Sequence, residues 1–409
     1  MALLFEELLC IASRVFVNHP RNGLAMLGYL NEKGSASAEL EESATSANPA
    51  GEIIAQLSEK EIDSICGLCG AGSLFKSKQM ADWAKREVEW LCSKGVKIIS
   101  FHSPLYPPLL RDCPDAPAIL YCTGSIFNTH TGTDATTQEP VSQLVGATTS
   151  PPRLAVVGTR LVSSYGRESC NTIIKELAAT LGAQSADLQI VSGLAYGADS
   201  SAHKAALANG LKTIAVLPCG IDSIYPSSNR KLAIEILHNG ALITEFPRAT
   251  APFKGNFLQR NRIIAGMSHA LLVLESRIKG GSMSTVSYAN SYNREVFAVP
   301  GRLHDINSYG CNYLITKNVA QLCLSAKTIL NSMGWGAAGY SEVTNVPDLF
   351  SSSSSLKGKL LLYLTPDSRD ADYLVAKTGA PCNDVMLALL ELELEGKIEM
   401  INEREYARL

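Results

Sequence analysis

The sequence predicts an α/β protein with a doubly wound, mainly parallel sheet as its core, a small helical N-terminal domain and a C-terminal winged helix. Three observations predict this fold class. Short apolar runs alternate with amphipathic stretches over residues 153–335, as in strands that are buried on both faces and connected by helices. Residues before this region show helical spacing, and residues 356–409 combine helical patterns with a hairpin pattern. The 409 residues suffice for two or three domains.

The N-terminal region, residues 1–123, is predicted to form a small, mostly helical domain. Trp83, Val88 and Leu91 recur at helical spacing with charged residues between them, which is typical of an amphipathic helix. Residues 124–152 are rich in Thr, Ser, Gly and Gln and have no apolar periodicity. They therefore predict a polar insertion or loop.

The core, residues 153–335, contains six short apolar runs that are rich in Val, Ile and Leu. These runs occupy residues 154–158, 188–193, 213–218, 241–246, 270–276 and 295–301. Segments such as 166–182, 199–209 and 228–239 lie between them and are long enough for crossover helices. The alternation predicts a sheet of mainly parallel strands with helices on both faces.

A Gly- and Ser-rich linker over 336–355 precedes the last unit, residues 356–409. Three helical segments followed by two short strands predict a winged helix-turn-helix. Its third helix, 382–395, carries four acidic residues and no Lys or Arg. Because phosphate neutralisation provides most DNA affinity, this helix is poorly suited to a DNA groove, and we expect it to contact protein.

Composition excludes several classes of protein. Apolar residues make up 46% and charged residues 18% of the chain, which is globular usage and not that of a disordered chain. No apolar run approaches the ~20 residues of a spanning helix. Glu6 and Glu7 interrupt the first apolar stretch, and no basic segment precedes it, so we expect no signal peptide and a cytoplasmic protein. Eleven cysteines, an odd number, suggest reduced thiols.

Charge is distributed unevenly along the chain. The 36 Lys and Arg residues against 39 Asp and Glu residues give a net charge of −3, yet the window 248–304 holds eight basic residues and two acidic ones. Phe253 and Phe257 lie within this window. Basic groups that follow a phosphate backbone, with aromatic rings that stack on bases, bind single strands without reading their sequence. The alternative is a solvated helix face with core phenylalanines.

Loops at the carboxyl ends of parallel strands form the usual ligand site of such a sheet. After the first strand, Gly158 allows a tight turn, Arg160 offers a planar group for a phosphate, and Ser163 is suited to cap the next helix. Lys204 lies in the helix after the second strand. His203 beside it could act as a general base, but we expect it to pack or cap, because no Ser or Cys nucleophile with a matched acid is recognisable nearby. The absence of a GxGxxG motif disfavours a dinucleotide cofactor.

Catalytic and metal sites find little support in the sequence. Cys66 and Cys69 form one CxxC without a second pair of ligands at zinc-finger spacing. The acidic residues that follow the predicted strands come after four different strands, so their separation is undetermined: Asp199, Asp222, Glu245 and Glu275. We therefore predict no catalytic residue, no metal and no cofactor.

Seven motifs in order resemble one known family. They are VGTRLVSSYG at 157–166, SGLAYGAD at 192–199, GIDSIYPSSN at 220–229, RNRIIAGMS at 260–268, KGGS at 279–282, REVFAVPG at 294–301 and GCNYLI at 310–315. Together the motifs resemble the DNA-processing protein A family, DprA or Smf. The resemblance implies an extended Rossmann-like core and non-enzymatic binding of single-stranded DNA without sequence specificity. It also implies loading of the RecA recombinase during natural transformation, by a homodimer.

The resemblance also implies a set of DNA-binding residues. Arg160 matches the family's DNA-contacting arginine. We extend the site to Gly158, Ser163, Lys204, Arg260, Asn261, Arg262 and Lys279. The chain departs from the family at 281–285, where Gly-Ser-Met-Ser-Thr replaces Gly-Ser-Leu-Ile-Thr, and at Ala198, where the family has Ile. Both departures concern local packing more than function.

Two other functions remain open from the sequence. Related Rossmann-like enzymes that cleave nucleoside monophosphates also have glycine-rich phosphate loops, but GGSMSTVSY at 280–288 lacks their second Gly-Thr step and their Glu. The chain could instead be a protein-interaction scaffold that docks partners on its acidic winged unit, with a basic patch that is only solvated.

Overall fold

The computed structural model describes residues 4–40, 49–127, 151–181, 188–335, 356–364, 369–394, 398–402 and 405–408. The chain divides into two compact units, Met1–Gly336 and Ala337–Leu409. Most of the predicted insertion and the whole predicted linker, 336–355, lie outside the described residues.

The N-terminal region is helical, as predicted. Its helices are α1 (Phe5–Phe16), α2 (Pro20–Leu40), α3 (Pro49–Gln56), α4 (Glu59–Cys66), α5 (Ala71–Lys76) and α6 (Lys78–Ser93). The start of α4 shows why helices begin where they do. Ser58 accepts a hydrogen bond from the backbone N–H of Glu61, whose carboxylate accepts one from the N–H of Ser58. This reciprocal cap satisfies two backbone donors that have no partner within the helix.

Nine strands form one sheet in the described part of the first unit. They are β1 (Lys97–Ser100), β2 (Ile119–Thr123), β3 (Arg153–Val157), β4 (Gln189–Ser192), β5 (Lys212–Val216), β6 (Gly240–Thr244), β7 (Ala270–Val273), β8 (Glu295–Ala298) and β9 (Gln321–Leu322). Their order is β1-β2-β6-β5-β4-β3-β7-β8-β9. The six predicted strands are confirmed as β3 to β8, and they pair in parallel.

Helices connect these strands. They are α7 (Pro108–Arg111), α8 (Ser164–Leu181), α9 (Ala198–Ala208), α10 (Arg230–His238), α11 (Lys254–Gly266), α12 (Ser282–Ser291), α13 (Tyr309–Thr316) and α14 (Ala326–Met333). Along β3, Leu154 and Val156 belong to one apolar cluster, and Ala155 and Val157 belong to another. Because side chains alternate along a strand, the two clusters lie on opposite faces of the sheet. The doubly wound fold class is thereby confirmed.

The first two strands differ from the expected domain division. β1 pairs antiparallel with β2, and β2 pairs antiparallel with β6, with Tyr121 opposite Thr244. Residues 97–123 therefore extend the core sheet, and the boundary expected after residue 123 does not coincide with a break in it. Helical periodicity in the preceding residues gives no information on such long-range strand pairing, so the sequence could not reveal it.

The strand order reverses beside β3. From β3 the chain proceeds to β4, β5 and β6 on one side, and it then crosses back to β7 on the other side. Consecutive crossovers therefore leave β3 and approach β7 on opposite faces, and a crevice opens between the carboxyl ends of these strands. This is the position at which open α/β sheets bind ligands.

The second unit has the predicted winged-helix elements. Helices α15 (Leu356–Tyr363), α16 (Ala371–Thr378) and α17 (Cys382–Leu394) pack on a sheet of β10 (Arg369–Asp370), β11 (Ile398–Asn402) and β12 (Glu405–Arg408), in the order β10-β12-β11. Leu360, Leu374 and Leu389 are fully buried in its core. None of the helices in the described ranges of either unit combines the length and apolarity needed to cross a bilayer.

Candidate nucleic-acid interface

A cleft of about 300 Å³ opens at the crevice beside β3. Its walls come from four segments: the loop after β3, the loop after β4, helix α11 and the loop between β7 and α12. The lining residues used below are Gly158, Arg160, Asp199, Phe257, Arg260, Asn261, Arg277 and Gly280. The structure thus brings together four of the predicted site residues, which are Gly158, Arg160, Arg260 and Asn261.

Glycines allow the loops around the cleft to approach each other closely. A Cβ on Gly158 would lie 2.7 Å from the Cβ of Ala198. Gly197 has a φ of 77°, and a Cβ there would lie 2.3 Å from the carbonyl oxygen of Thr159. The backbone N–H of Ala198 donates to that same oxygen at 3.1 Å. Since a larger residue would separate the loops, these glycines fix the shape of the cleft.

Arg160 is exposed, and its guanidinium lies over the ring of Phe257 at 4.9 Å from the centroid. Phe257, on α11, contacts Tyr225 edge to face with 5.5 Å between ring centroids. Such a cation–π contact orients the arginine without neutralising its charge. The pair therefore places a positive group directly over an aromatic ring at the cleft.

Arg260 is buried beneath the cleft and donates to the carbonyl oxygen of Val216 at 2.6 Å. A Cβ on Gly193 would lie 1.9 Å from this guanidinium, so a larger residue there would displace the Arg260 side chain. Burial lowers the pKa of Arg260 to about 10, although the nearby carboxylate of Asp199 raises it. The group is therefore charged at neutral pH and contributes positive potential from below the surface.

Asp199 is also buried, and burial raises its pKa against the opposing effect of Arg260. It accepts a hydrogen bond from the backbone N–H of Ala195 at 3.3 Å. On the other wall, the side chain of Asn261 donates to Ser284 Oγ at 2.9 Å. Asn261 also donates to the carbonyl oxygen of Gly281 at 3.4 Å, so its side chain joins α11 to the start of α12.

Two predicted site residues are directed into the protein interior. The N–H of Ser163 donates to Glu275 at 2.8 Å, its hydroxyl donates to the same carboxylate, and its Oγ accepts from the N–H of Gly166 at 3.1 Å. Ser163 thus caps α8. Arg262 is buried, forms an ion pair with Glu245 and donates to the carbonyl oxygen of Asp115. The cap expected of Ser163 is thus present, and internal partners occupy the side chains of both Ser163 and Arg262, so their contact with DNA stays a prediction.

Lys204 and Lys279 are exposed but do not line the cleft. Lys279 belongs to the loop that contributes Arg277 and Gly280 to the wall, whereas Lys204 lies well into α9.

Sequence reasoning did not select Lys254, the exposed first residue of α11, or Arg277. It noted Phe257 without assigning it to the site. Nothing in the sequence indicated that Phe257 lies next to Arg160.

The charge of the 248–304 window overstates the charge available to a ligand. Arg260 and Arg262 are buried, Arg248 pairs with Glu87 at 2.8 Å, and Arg294 donates to the carbonyl oxygen of Leu109 at 2.7 Å. The exposed basic residues of the 248–304 window are Lys254, Arg277, Lys279 and Arg302. Among the described residues, no group of three or more His, Cys, Asp or Glu side chains is arranged to hold a metal ion.

Fold and site together define a class, that of Rossmann-like α/β proteins with a basic and aromatic cleft at the strand ends and an additional winged helix. The family model for DNA recombination-mediator protein A matches residues 145–334, and that for the DprA winged helix domain matches residues 347–400. Protein Smf of Synechocystis sp. is 32% identical over 347 residues, which cover 77% of this chain and 81% of the relative. The chain belongs to the DprA/Smf family.

One relative is similar to this chain both in sequence and in solved structure. DNA processing protein DprA of Streptococcus pneumoniae is 40% identical over 179 residues, which cover 44% of this chain and 61% of the relative. The X-ray structure of the Streptococcus pneumoniae protein matches this fold with a TM-score of 0.54 at 30% identity. That match covers 74% of this chain and 92% of the solved one.

Proposed function

We propose that the protein processes DNA by binding single strands at this cleft without sequence specificity. The observation that carries the proposal is the pairing of exposed Arg160 with the ring of Phe257, 4.9 Å from the guanidinium. An arginine suits a phosphate, and an aromatic face suits any base. Exposed Lys254, Arg277 and Lys279 supply further positive charge near the cleft.

The proposed site suits an unpaired strand better than a duplex. A duplex keeps the faces of its bases stacked inside the helix, so an aromatic side chain in a cleft reaches those of a single strand more readily. The lining residues contribute backbone amides, glycines and guanidiniums, which match phosphates rather than the edges of particular bases. Binding without sequence preference follows from that composition.

Replacing Arg160 with Ala tests this function. We expect the variant to bind a short oligothymidylate about 1–3 kcal/mol more weakly, because a charge-assisted contact is lost. Fluorescence anisotropy titration of a labelled oligonucleotide measures the affinity. Lys175→Ala is the matched control, since Lys175 is exposed on α8 and does not line the cleft. Equal affinities for the wild type and Arg160→Ala would refute the proposal.

We further propose that the DNA-bound protein loads RecA onto the strand, as a homodimer, during DNA uptake. This rests on the family to which the chain belongs and on the match to the recombination-mediator model. We expect the wild type, but not Arg160→Ala, to accelerate RecA filament formation on strands that are precoated with single-strand binding protein. Light scattering with size-exclusion chromatography would measure the oligomeric state. A RecA assembly rate that the wild type leaves unchanged would contradict loading.

We propose a non-enzymatic function. Asp199 is the carboxylate among the described residues that line the cleft, and it is buried beside Arg260. A nucleotide-hydrolysing site would need a carboxylate directed at the ligand, and no observation favours that alternative. Incubation of AMP with the purified protein tests it, since release of free base would establish turnover.

A further inference from the structure

Two exposed tyrosines extend the aromatic surface beyond the cleft. Tyr225, in the loop after β5, contacts Phe257 with 5.5 Å between ring centroids and is 39% exposed. Tyr196, in the loop after β4, is 49% exposed and directly follows Ala195, which lines the cleft. The rings of Tyr225 and Tyr196 are not needed to fill the apolar core, in contrast to those of Tyr106 and Tyr121, which are fully buried.

Hydrogen bonds hold the two tyrosine loops together. Ser228 Oγ donates to Tyr196 Oη at 3.1 Å. Asn229 Nδ2 donates to the carbonyl oxygens of Leu194 and Ala195 at 2.9 and 3.4 Å. Because both loops are tied through residues 228 and 229, the rings are oriented before any ligand binds. Preorganised rings lose little conformational entropy on binding.

Positive charge continues past the tyrosines. Arg230 and Lys231 are exposed at the start of α10, immediately after the loop that carries Tyr225. The carboxylate of that loop, Asp222, accepts a hydrogen bond from the N–H of Ala249 at 3.0 Å. Glu235, exposed on α10, lies beyond the first turn. Basic groups therefore flank the tyrosines on both sides, with Arg160 at the cleft and Arg230 at the far end.

We propose that Tyr225 and Tyr196 form a stacking surface for the unpaired bases next to the nucleotide in the cleft. The ligand class is the nucleobases of a single-stranded polynucleotide, whose phosphates would approach Arg160, Arg230 and Lys231. This inference rests on the proposed function and extends it, because it specifies the path of the bound DNA, which would cross the loops after β4 and β5. Each ring binds any base through its π face, so sequence does not matter.

The test compares two ligands that have the same phosphates. One is a short oligothymidylate, and the other has abasic residues at all positions. We expect Tyr196→Ala and Tyr225→Ala each to weaken binding of oligothymidylate roughly tenfold, the order for one lost base–aromatic stack. Binding of the abasic strand should change less than about twofold, because it has no base to stack.

Two conservative variants and one control accompany them. Tyr225→Phe keeps the ring and should bind as the wild type does. Tyr196→Phe keeps the ring but loses its bond to Ser228, so its loss of affinity should be much smaller than that of Tyr196→Ala. Tyr313→Ala removes an exposed tyrosine that does not line the cleft. In the wild type, strands containing iododeoxyuridine should photocrosslink to peptides that include Tyr196 and Tyr225.

The outcomes separate this inference from the proposed function. A wild type that does not bind oligothymidylate would overturn both. A wild type that binds, with tyrosine-to-alanine variants of unchanged affinity or with equal losses for both ligands, would overturn the stacking surface alone. Phenylalanine variants that bind oligothymidylate as weakly as the alanine variants would assign the effect to the hydroxyl and also contradict stacking.

Discussion

At the scale of single residues, the Arg-Asn-Arg sequence at 260–262 shows how neighbouring side chains acquire different roles. Arg260 extends beneath the cleft to Val216, Asn261 binds Ser284, and Arg262 pairs with Glu245. The last pair is buried on both sides, with side chains 4% and 3% exposed. Burial raises the pKa of Glu245 to about 7 despite the opposing effect of Arg262.

Replacing Arg262 with Met should destabilise the fold. We expect a loss of about 3–5 kcal/mol in the free energy of unfolding, because Glu245 would remain buried without its partner. Urea denaturation measures this loss. The double variant Arg262→Met, Glu245→Met should recover most of it, since apolar residues of similar volume replace a buried ion pair at little cost. A stable Arg262→Met variant with weakened oligothymidylate binding would instead favour a direct DNA contact.

His203 supplies a pH-dependent contribution to stability. It is fully buried, its Nδ1 lies 2.7 Å from Thr213 Oγ1, and burial lowers its pKa to about 3. The unfolded histidine has a pKa near ~6.5. As pH falls from about 6.5 towards 3, the unfolded chain therefore takes up a proton that the folded chain does not bind, and the folded state loses stability.

His203→Leu should remove this dependence. Between about pH 6.5 and 4, we expect the free energy of unfolding to fall less steeply than in the wild type, by up to ~1.4 kcal/mol per pH unit. Urea titrations at several pH values measure the slope. His304→Leu is a control, since His304 is exposed. Parallel slopes for the wild type and His203→Leu would contradict the assignment.

At the scale of elements, α11 determines the position of the cleft. It starts with exposed Lys254, presents Phe257 to Arg160 and extends Arg260 below the sheet edge. Toward the N-terminal helices, Gln259 donates to the carbonyl oxygen of Val17. Contacts to the sheet and to the residue that follows α1 therefore fix α11. Its exposed residues consequently have defined positions relative to the loops at the strand ends.

Phe257→Leu tests the aromatic role of α11. Leucine keeps apolar volume but removes the flat ring, so we expect oligothymidylate affinity to fall by about 1–3 kcal/mol. The slope of log K against log salt should remain that of the wild type, because no charge changes. Arg160→Ala should instead make that slope shallower by about 0.7. Equal slope changes in the two variants would contradict separate roles for ring and charge.

At the scale of the whole molecule, binding must overcome a slightly negative total charge. The net charge is −3, whereas Arg160, Lys254, Arg277 and Lys279 are exposed in or near the cleft. Because α17 exposes Leu387 at 58% and carries no basic residue, we expect the winged unit to contribute little to DNA binding. We therefore expect local charge, and not total charge, to govern DNA binding at the proposed interface.

Salt dependence measures this local charge. If three or four phosphates are neutralised, log K for oligothymidylate should fall with log salt with a slope of about −2 to −3. Anisotropy titrations at several NaCl concentrations give the slope, with potassium glutamate as a second salt. A flat response would indicate that the basic residues are only solvated and would favour the scaffold alternative.

Much of the fold was predictable because its signals are local. The six apolar runs, the crossover helices and the winged helix each depend on neighbouring residues, and the structure confirms them. The strands before the core were not predicted, because β1 joins the sheet only through β2, and the core partner of β2, β6, is distant in sequence. Arg160 and Gly158 were found from their position after a strand, but the ring beneath Arg160 belongs to a helix far along the chain.

The sequence by itself determined the six core strands along the chain, the glycines that allow close loops and the arginine at the first strand end. These features follow from local apolar periodicity and backbone freedom. Only the tertiary structure decided which basic side chains face solvent. Arg262 is neutralised by Glu245 in the interior, and Arg160 remains exposed against Phe257. The reason is that desolvation and ion pairing depend on partners which only folding brings together.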